Sequence, residues 1–383
     1  MPVEFLGIAA THDGSETAPR SGPAFDPDYT LRIARAHEDH GWDRVLFAYG
    51  SGTADPATAA ALLASRLDRL QILLAHRPNL SYPTYAARVF ATLDQISGGR
   101  LTVHFITGGS DHEQRREGDT LTKDERYART REYIEIVKKV WTRTEPFDHE
   151  GAHYRFQDYV SDVFPAQLPR PDVSFGGSSE AALAAGAAEA DIYCLWGEPL
   201  ERTAEQIAAV RAAAAAAGRT TPPRIQVAFR PIIAPTEELA WEKAHRTLAA
   251  IRAGGPAGRR RRPGAGGRPE NTGSQRLIAI AEQGERYDRA LWTAPAAATG
   301  GAGNSNALVG TPDTVAEALL DYHELGVDII SARGYDLLGD AIDFGRHVIP
   351  LVRAEVARRD AAREAHAGRA NGAPTSGESV TTP

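Results

Sequence analysis

Cysteine is almost missing from this 383-residue chain, with Cys194 standing alone. A single thiol excludes a disulfide framework and any iron–sulfur or multi-cysteine zinc site, because those need several thiolates. Lysine is nearly as scarce. Only Lys123, Lys138, Lys139 and Lys243 occur among 43 basic residues, so arginine carries most of the positive charge. Long apolar runs are lacking too: no stretch approaches the roughly 18 residues of a membrane span, and MPVEFLGIAATHDG has neither the basic start nor the apolar core of a signal peptide. The expectation is a cytoplasmic chain without a membrane partner. A net charge of −7 gives no general pull on phosphate polyanions, which argues against nucleic acid as the main partner.

What is present is alternation. Short β-rich runs at 3–10, 44–48, 70–76, 100–108, 172–177, 192–197, 224–234 and 327–333 are separated by helical stretches. One such stretch, Tyr82–Ser97, repeats Tyr85, Ala86, Val89, Phe90, Leu93 and Ile96 at helical spacing, which predicts an apolar face. Strict βα alternation demands parallel strands with right-handed crossovers, in an open doubly wound sheet or a closed barrel. Eight units favour the (β/α)8 TIM barrel, with residues 1–357 as one domain. Residues 143–171 read as an inserted β-hairpin, 253–273 as a flexible Gly/Pro/Arg loop, and 358–383 as a disordered tail.

In such a barrel the strand C-terminal ends share one face, and their residues are read together. Phe175-Gly176-Gly177-Ser178-Ser179 is the clearest motif, ending an apolar run in two glycines and two hydroxyls before an Ala-rich helix. Glycines admit a close ligand, and a helix N-terminus offers free N–H groups to a phosphate. The plainer alternative is a turn with a Ser N-cap. His37 and His40 lie on a polar helix end without metal-site spacing and are expected to face solvent; no metal is expected. Gly300-Gly301-Ala302-Gly303 reads as a loop, because no strand-then-helix setting surrounds it. Arg259–Arg262 is either solvated surface or an attractor of anions, and Cys194 reads as a buried small hydrophobe.

Several segments together resemble the luciferase-like flavin monooxygenases, most of all their alkanesulfonate monooxygenase branch. They are Tyr82-Pro83-Thr84-Tyr85-Ala86-Ala87-Arg88, then Asp94-Gln95-Ile96-Ser97-Gly98-Gly99-Arg100, Ile106-Thr107-Gly108, Glu125-Arg126-Tyr127, the Phe175–Ser179 corner, Trp196-Gly197-Glu198-Pro199 and Ala307-Leu308-Val309-Gly310. The resemblance implies reduced FMN and O2 as cofactors, a separate NAD(P)H-dependent flavin reductase, a small-molecule substrate and a homo-dimer or homo-tetramer. Carried over by position, Gly177, Ser178, Ser179 and Tyr127 would hold the flavin phosphate. Ala75, His76, His104 and Thr107 would face the flavin ring, with a strained non-proline cis peptide near the third strand end and a lid at 253–273.

Departures accompany the likeness. The desulfonating branch has a Cys after strand two, an Arg-X-His pair on strand seven and an Arg before the Gly-rich stretch; here stand Thr53, Ala228 with Arg230, and Thr299. Arg333 is an added cation, Tyr335 is kept, and His104 replaces a usual Asn. Thr53, Arg230, Arg333 and Tyr335 are therefore the catalytic candidates, and His12 and Trp196 the substrate-pocket candidates. Structural readings stand beside them: Arg333 pairing with Asp336 or Asp340, Tyr335 and Trp196 as packing, Arg230 as a barrel-edge residue, His12 as a cap. The chemistry expected is oxygenation of a sulfonate, sulfone, ketone or natural-product intermediate. Two rivals are an F420-dependent hydride transferase and a flavin-binding protein without catalysis.

Overall fold

The computed structural model describes residues 3–253 and 269–371, with side chains up to 365. Eight parallel strands close a ring: β1 (Glu4–Ile8), β2 (Arg44–Phe47), β3 (Gln71–His76), β4 (Leu101–Phe105), β7 (Asp172–Gly176), β8 (Ile192–Trp196), β9 (Arg224–Ile233) and β13 (Ile329–Ala332). Each pairs with the next, β9 pairs with both β8 and β13, and β13 returns to β1. The chain is a (β/α)8 barrel with helices around it. Between β4 and β7 the antiparallel pair β5 (Phe147–Glu150) and β6 (Arg155–Tyr159) forms a hairpin.

Side chains alternate along a strand, so every second residue enters the barrel. Leu6, Leu73, Ile192 and Ile329 meet there as a central apolar plug. Beneath it lies an ionic layer. Glu4 bridges Arg44 and Arg224, each at 2.6 Å, and Arg44 donates to Thr102 at 3.0 Å. Burial works against ionisation of Glu4, but Arg44 and Arg224 overcome it and lower its pKa.

β9 is twice as long as its neighbours because it serves two sheets. Gln226–Phe229 pair with β13, while Arg230–Ile233 pair with β12 (Ala307–Gly310), which carries the antiparallel β11 (Leu291–Trp292) and β10 (Arg286–Tyr287). This annexe is absent from the sequence reading, since strands of two residues have no readable period.

Four expectations need correction. The apolar face of helix Pro83–Ser97 is Ala86, Ala87, Phe90, Ala91 and Leu93, whereas Tyr85 and Ile96 are exposed. His37 does not face solvent: it is buried, donates from Nδ1 to Ile33 O over 2.7 Å, packs on Trp42, and fills the space a Cβ on Gly7 would need. Burial lowers its pKa to about 4. The sole cis peptide among the described residues is Leu168–Pro169, so none lies at the end of β3. Position 358 lies inside helix Ile349–Asn371, where Arg359 binds Glu355 and Glu324, and Arg363 binds Glu324. Such charge pairs support a helix whose apolar content is low. Residues 254–268, most of the expected lid, lie outside the described residues.

The Asp94–Arg100 motif proves architectural. Arg100 reaches four carbonyls across two connections, Ser97 O at 2.6 Å, Leu70 O at 2.8 Å, Ala64 O at 2.9 Å and Leu67 O at 2.7 Å. Asp94, fully buried, accepts from Gln167 N at 2.9 Å and Gln167 Nε2 at 2.7 Å. A lysine cannot reproduce the guanidinium fork, so Arg100→Lys should destabilise the fold by about 1–3 kcal/mol. The urea midpoint is the measurement, with the slope unchanged.

Candidate functional site

β7 runs into Gly177, Ser178 and Ser179, and Ser179 caps helix Glu180–Glu189 by accepting from Ala182 N at 3.3 Å. Side chains are excluded from this corner. A Cβ on Gly176 would stand 2.9 Å from Cys194 O, and one on Gly177 would stand 2.5 Å from Ala182 Cβ and 3.3 Å from Tyr127 Oη. Tyr193 Oη locks the corner by donating to Gly177 O at 2.8 Å. Gly176, Gly177, Ser178 and Ser179 thus border a cavity of about 360 Å3 at the C-terminal mouth of the barrel, at the start of this helix.

Helix Lys123–Thr142 supplies the facing wall. Its capping box, Thr122 with Glu125, sets the first turn so that Lys123, Arg126 and Tyr127 line the cavity. Arg126 is buried, bonds Leu121 O at 2.7 Å and Asp111 at 2.8 Å, and keeps Nε without a partner. Burial raises the pKa of Tyr127 against the lowering effect of its bond to Ser179 and of Arg126, so the phenol stays a donor. Cations and hydroxyls beside a helix N-terminus are a donor set suited to a phosphate dianion. Ile106 and Trp196 add apolar wall farther in, which suits a flat ring.

His104 and Cys194 form the floor, and Arg77 a side. Arg77 is buried, held by Glu117 at 2.7 Å and Glu113 at 3.3 Å, and lies over the Tyr49 ring at 4.6 Å. Thr107 also lines the space, with its hydroxyl 3.3 Å from Thr130. Cys194 is therefore not simply a buried hydrophobe: its thiol opens on the cavity and lies 3.1 Å from Ser174 Oγ.

Of the residues singled out in the sequence, His104, Thr107, Tyr127, Gly177, Ser178, Ser179 and Trp196 are brought together here. His76 and Ala75 are not among the lining. His76 sits on the outward parity of β3, with Nε2 at 2.9 Å from Tyr133 Oη and its ring against Phe90 and Phe105. Burial lowers its pKa to about 4. Thr53 lies in an exposed loop bonded to Gly50, and His12 Nδ1 accepts from Gly14 N at 3.1 Å, both apart from this cavity.

Arg230, Arg333 and Tyr335 form a separate cluster around Glu16. Arg230 grips Glu16 with two bonds of 3.0 and 2.9 Å, Arg333 adds one of 2.5 Å, and the Arg230 guanidinium lies 4.0 Å over the Tyr335 ring. The readings that paired Arg333 with Asp336 or Asp340 are replaced by this contact; Asp340 instead accepts from Lys243 and from Tyr335 N. Burial disfavours the Glu16 carboxylate, yet the Arg230 bond and the Arg333 and Arg230 charges hold its pKa well below the ordinary value. Glu16 carried no sequence signal, since 214 residues separate it from Arg230. Lys123 did: it is one of four lysines and opens a capped helix.

A carboxyl whose pKa is depressed on folding adds stability above the ordinary carboxylate pKa and loses it as pH falls toward the folded value. Wild-type stability should thus drop more steeply between pH 5 and pH 3 than that of Glu16→Gln, measured by denaturant midpoints. At neutral pH Glu16→Ala should cost about 3–5 kcal/mol, because buried Arg230 loses its counter-charge.

Residues 3–329 match the model of the luciferase-like monooxygenase family. Among solved structures, the chain is similar to a riboflavin lyase holding a modified FMN and its substrate riboflavin, at 25% identity and TM-score 0.75, covering 93% of this chain and 92% of that one. It shares its fold with the EDTA monooxygenase of Chelativorans sp. BNC1, at 19% identity and TM-score 0.76 over 93% and 94% of the two chains. An F420-dependent secondary alcohol dehydrogenase has the same fold, at 15% identity and TM-score 0.67 over 92% and 100%. No described helix is long and apolar enough to cross a membrane. With the closed barrel, the phosphate-type corner and the family match in hand, the chain belongs to the luciferase-like monooxygenases.

Proposed function

We propose that this chain is an FMN-dependent monooxygenase that receives reduced FMN from a separate NAD(P)H-dependent reductase and oxygenates a small organic substrate with O2. The observation that carries the reading is the cavity with a phosphate-type corner at one end and apolar wall at the other. When bound, reduced FMN supplies the electrons for oxygen insertion. Ser178, Ser179, Tyr127 and Lys123 would hold its phosphate, and His104, Ile106 and Trp196 would border its ring. The riboflavin lyase, whose structure contains a modified FMN, supports a flavin in this space. A cytoplasmic homo-oligomer is the assembly expected of this reading.

Glu16 bears on the substrate. A sulfonate on these guanidiniums would have to share them with Glu16, which takes two bonds from Arg230 and one from Arg333 and leaves the Nε of each without a partner. Replacing one anion by another on the same arginines gains little. Among the candidate substrates, an uncharged sulfone or ketone is therefore favoured over an alkanesulfonate.

Oxidised and reduced FMN should both bind, and Lys123→Ala and Ser178→Ala should each weaken binding about tenfold, as expected for one lost charge-assisted contact. Calorimetric titration measures this. With reduced FMN and labelled O2, one oxygen atom should appear in the product of an accepted sulfone or ketone. Failure of both FMN forms to bind sinks the proposal. Tight F420 binding with O2-independent hydride transfer would move the chain to the deazaflavin side of its family, and flavin binding with no turnover on any substrate would leave a binding protein.

A further inference from the structure

Three polar side chains from three neighbouring strands meet under the cavity. His104 on β4 pairs in register with Ser174 on β7, whose own neighbour β8 carries Cys194 opposite Gly176. Ser174 Oγ lies 2.9 Å from His104 Nδ1 and 3.1 Å from Cys194 Sγ, while the sulfur lies 3.9 Å from Nδ1. Ser174 is fully buried, and His104 and Cys194 both line the cavity. Polar groups placed just above an apolar plug are costly unless each is satisfied, so the direction of each proton has consequences.

Ser174 has one hydroxyl proton and two neighbours able to receive it. An imidazole nitrogen is a much better acceptor than sulfur, so the hydroxyl donates to Nδ1. Burial pushes the Cys194 thiol up to about 12, and the proton it keeps has Ser174 Oγ as its acceptor. Burial also lowers the pKa of His104 to about 4, which leaves the ring neutral at pH 7. With Nδ1 accepting, the ring proton belongs on Nε2. No described residue hydrogen-bonds to Nε2.

We propose that Cys194 and Ser174 are positioning residues that fix one tautomer of His104, presenting a neutral Nε2–H donor to the cavity floor. The group it would meet is a hydrogen-bond acceptor of the ligand, a ring carbonyl or unprotonated ring nitrogen of a flavin. The choice of acceptor rests on the function proposed above; the tautomer does not. In the reverse order of protons, Nδ1–H would donate to Ser174 and Ser174 to sulfur, and the cavity would face an acceptor instead.

The two orders are separated by long-range proton–nitrogen NMR of the full chain labelled in its histidine rings, with the His104 signals assigned from His104→Gln. At pH 7 the ring should be neutral, with the proton on Nε2. Ser174→Ala should give a mixture of tautomers, and Cys194→Ser should retain the wild-type form. A wild-type ring protonated at Nδ1, or charged, overturns the proposal; should His104→Gln not fold, His104→Leu supplies the assignment. For the ligand, His104→Leu should weaken FMN binding about tenfold and His104→Gln, which keeps a donor, by less than about threefold, the scale of one hydrogen bond. Unchanged FMN affinity in His104→Leu overturns the assignment of the acceptor. An intact Nε2–H tautomer in a protein that binds no FMN supports the relay and sinks the flavin reading.

Discussion

Gly176 and Gly177 have no room for a side chain: a Cβ on the first would meet Cys194 O, and one on the second Ala182 and Tyr127. Because β7 is locked into the ring by β4 and β8, the strand delivers this corner at a fixed height in the barrel mouth. The helix that follows then has its N-terminus aimed at the cavity, with Ser179 using its oxygen to cap Ala182 N. Under the proposed function, a phosphate would meet a corner whose backbone is already set before it binds. Lys123, Arg126 and Tyr127 gain meaning only because the corner opposite them is fixed.

Charge is distributed around the mouth in paired form. Arg77 faces Glu113 and Glu117, Arg126 faces Asp111, Arg276 faces Glu198, and Arg230 with Arg333 faces Glu16. A buried arginine with its carboxylate is a rigid, planar wall and not an open charge. Two arginines on the single Glu16 leave one excess positive charge there, and Lys123 has no carboxylate partner among the described residues, its ammonium donating to the Thr272 hydroxyl at 3.3 Å. Lys123 thus lines the cavity with Ser178 and Ser179, and the Asp111 and Glu270 carboxylates share that lining. Under the proposed function, the Lys123 ammonium and the Ser178 and Ser179 hydroxyls would receive the anionic tail of the flavin, leaving the rest of the space to its ring.

Much of the fold was legible because strand and helix patterns alternate with clear punctuation, as in Pro83 opening a helix and Gly98, at φ 66°, closing it. The annexe β10–β12 was not, since its strands owe their existence to the overlong β9 and not to a period of their own. The polar corner of the site was readable from Gly176 to Ser179, a local motif. Glu16 was not readable at all: a contact spanning 214 residues leaves no trace in spacing. The Asp94–Arg100 motif shows a third case. It marks the family clearly, yet its residues hold connections together and touch no ligand space.

His76 and His104 show how parity decides role. Both end strands at the same mouth, and their strands are neighbours in register, His76 opposite Phe105 and Ala75 opposite His104. Inward residues of β3 run through Leu73, which lies in the central plug, so Ala75 shares that face and His76 is turned to the outside. Two imidazoles with the same lowered pKa of about 4 thus meet different surroundings, Phe90 and Tyr133 for one, the cavity for the other. Desolvation alone makes a histidine neutral. Only a strand position that also exposes one nitrogen to the ligand space makes that neutrality useful, and on these two strands that position belongs to His104.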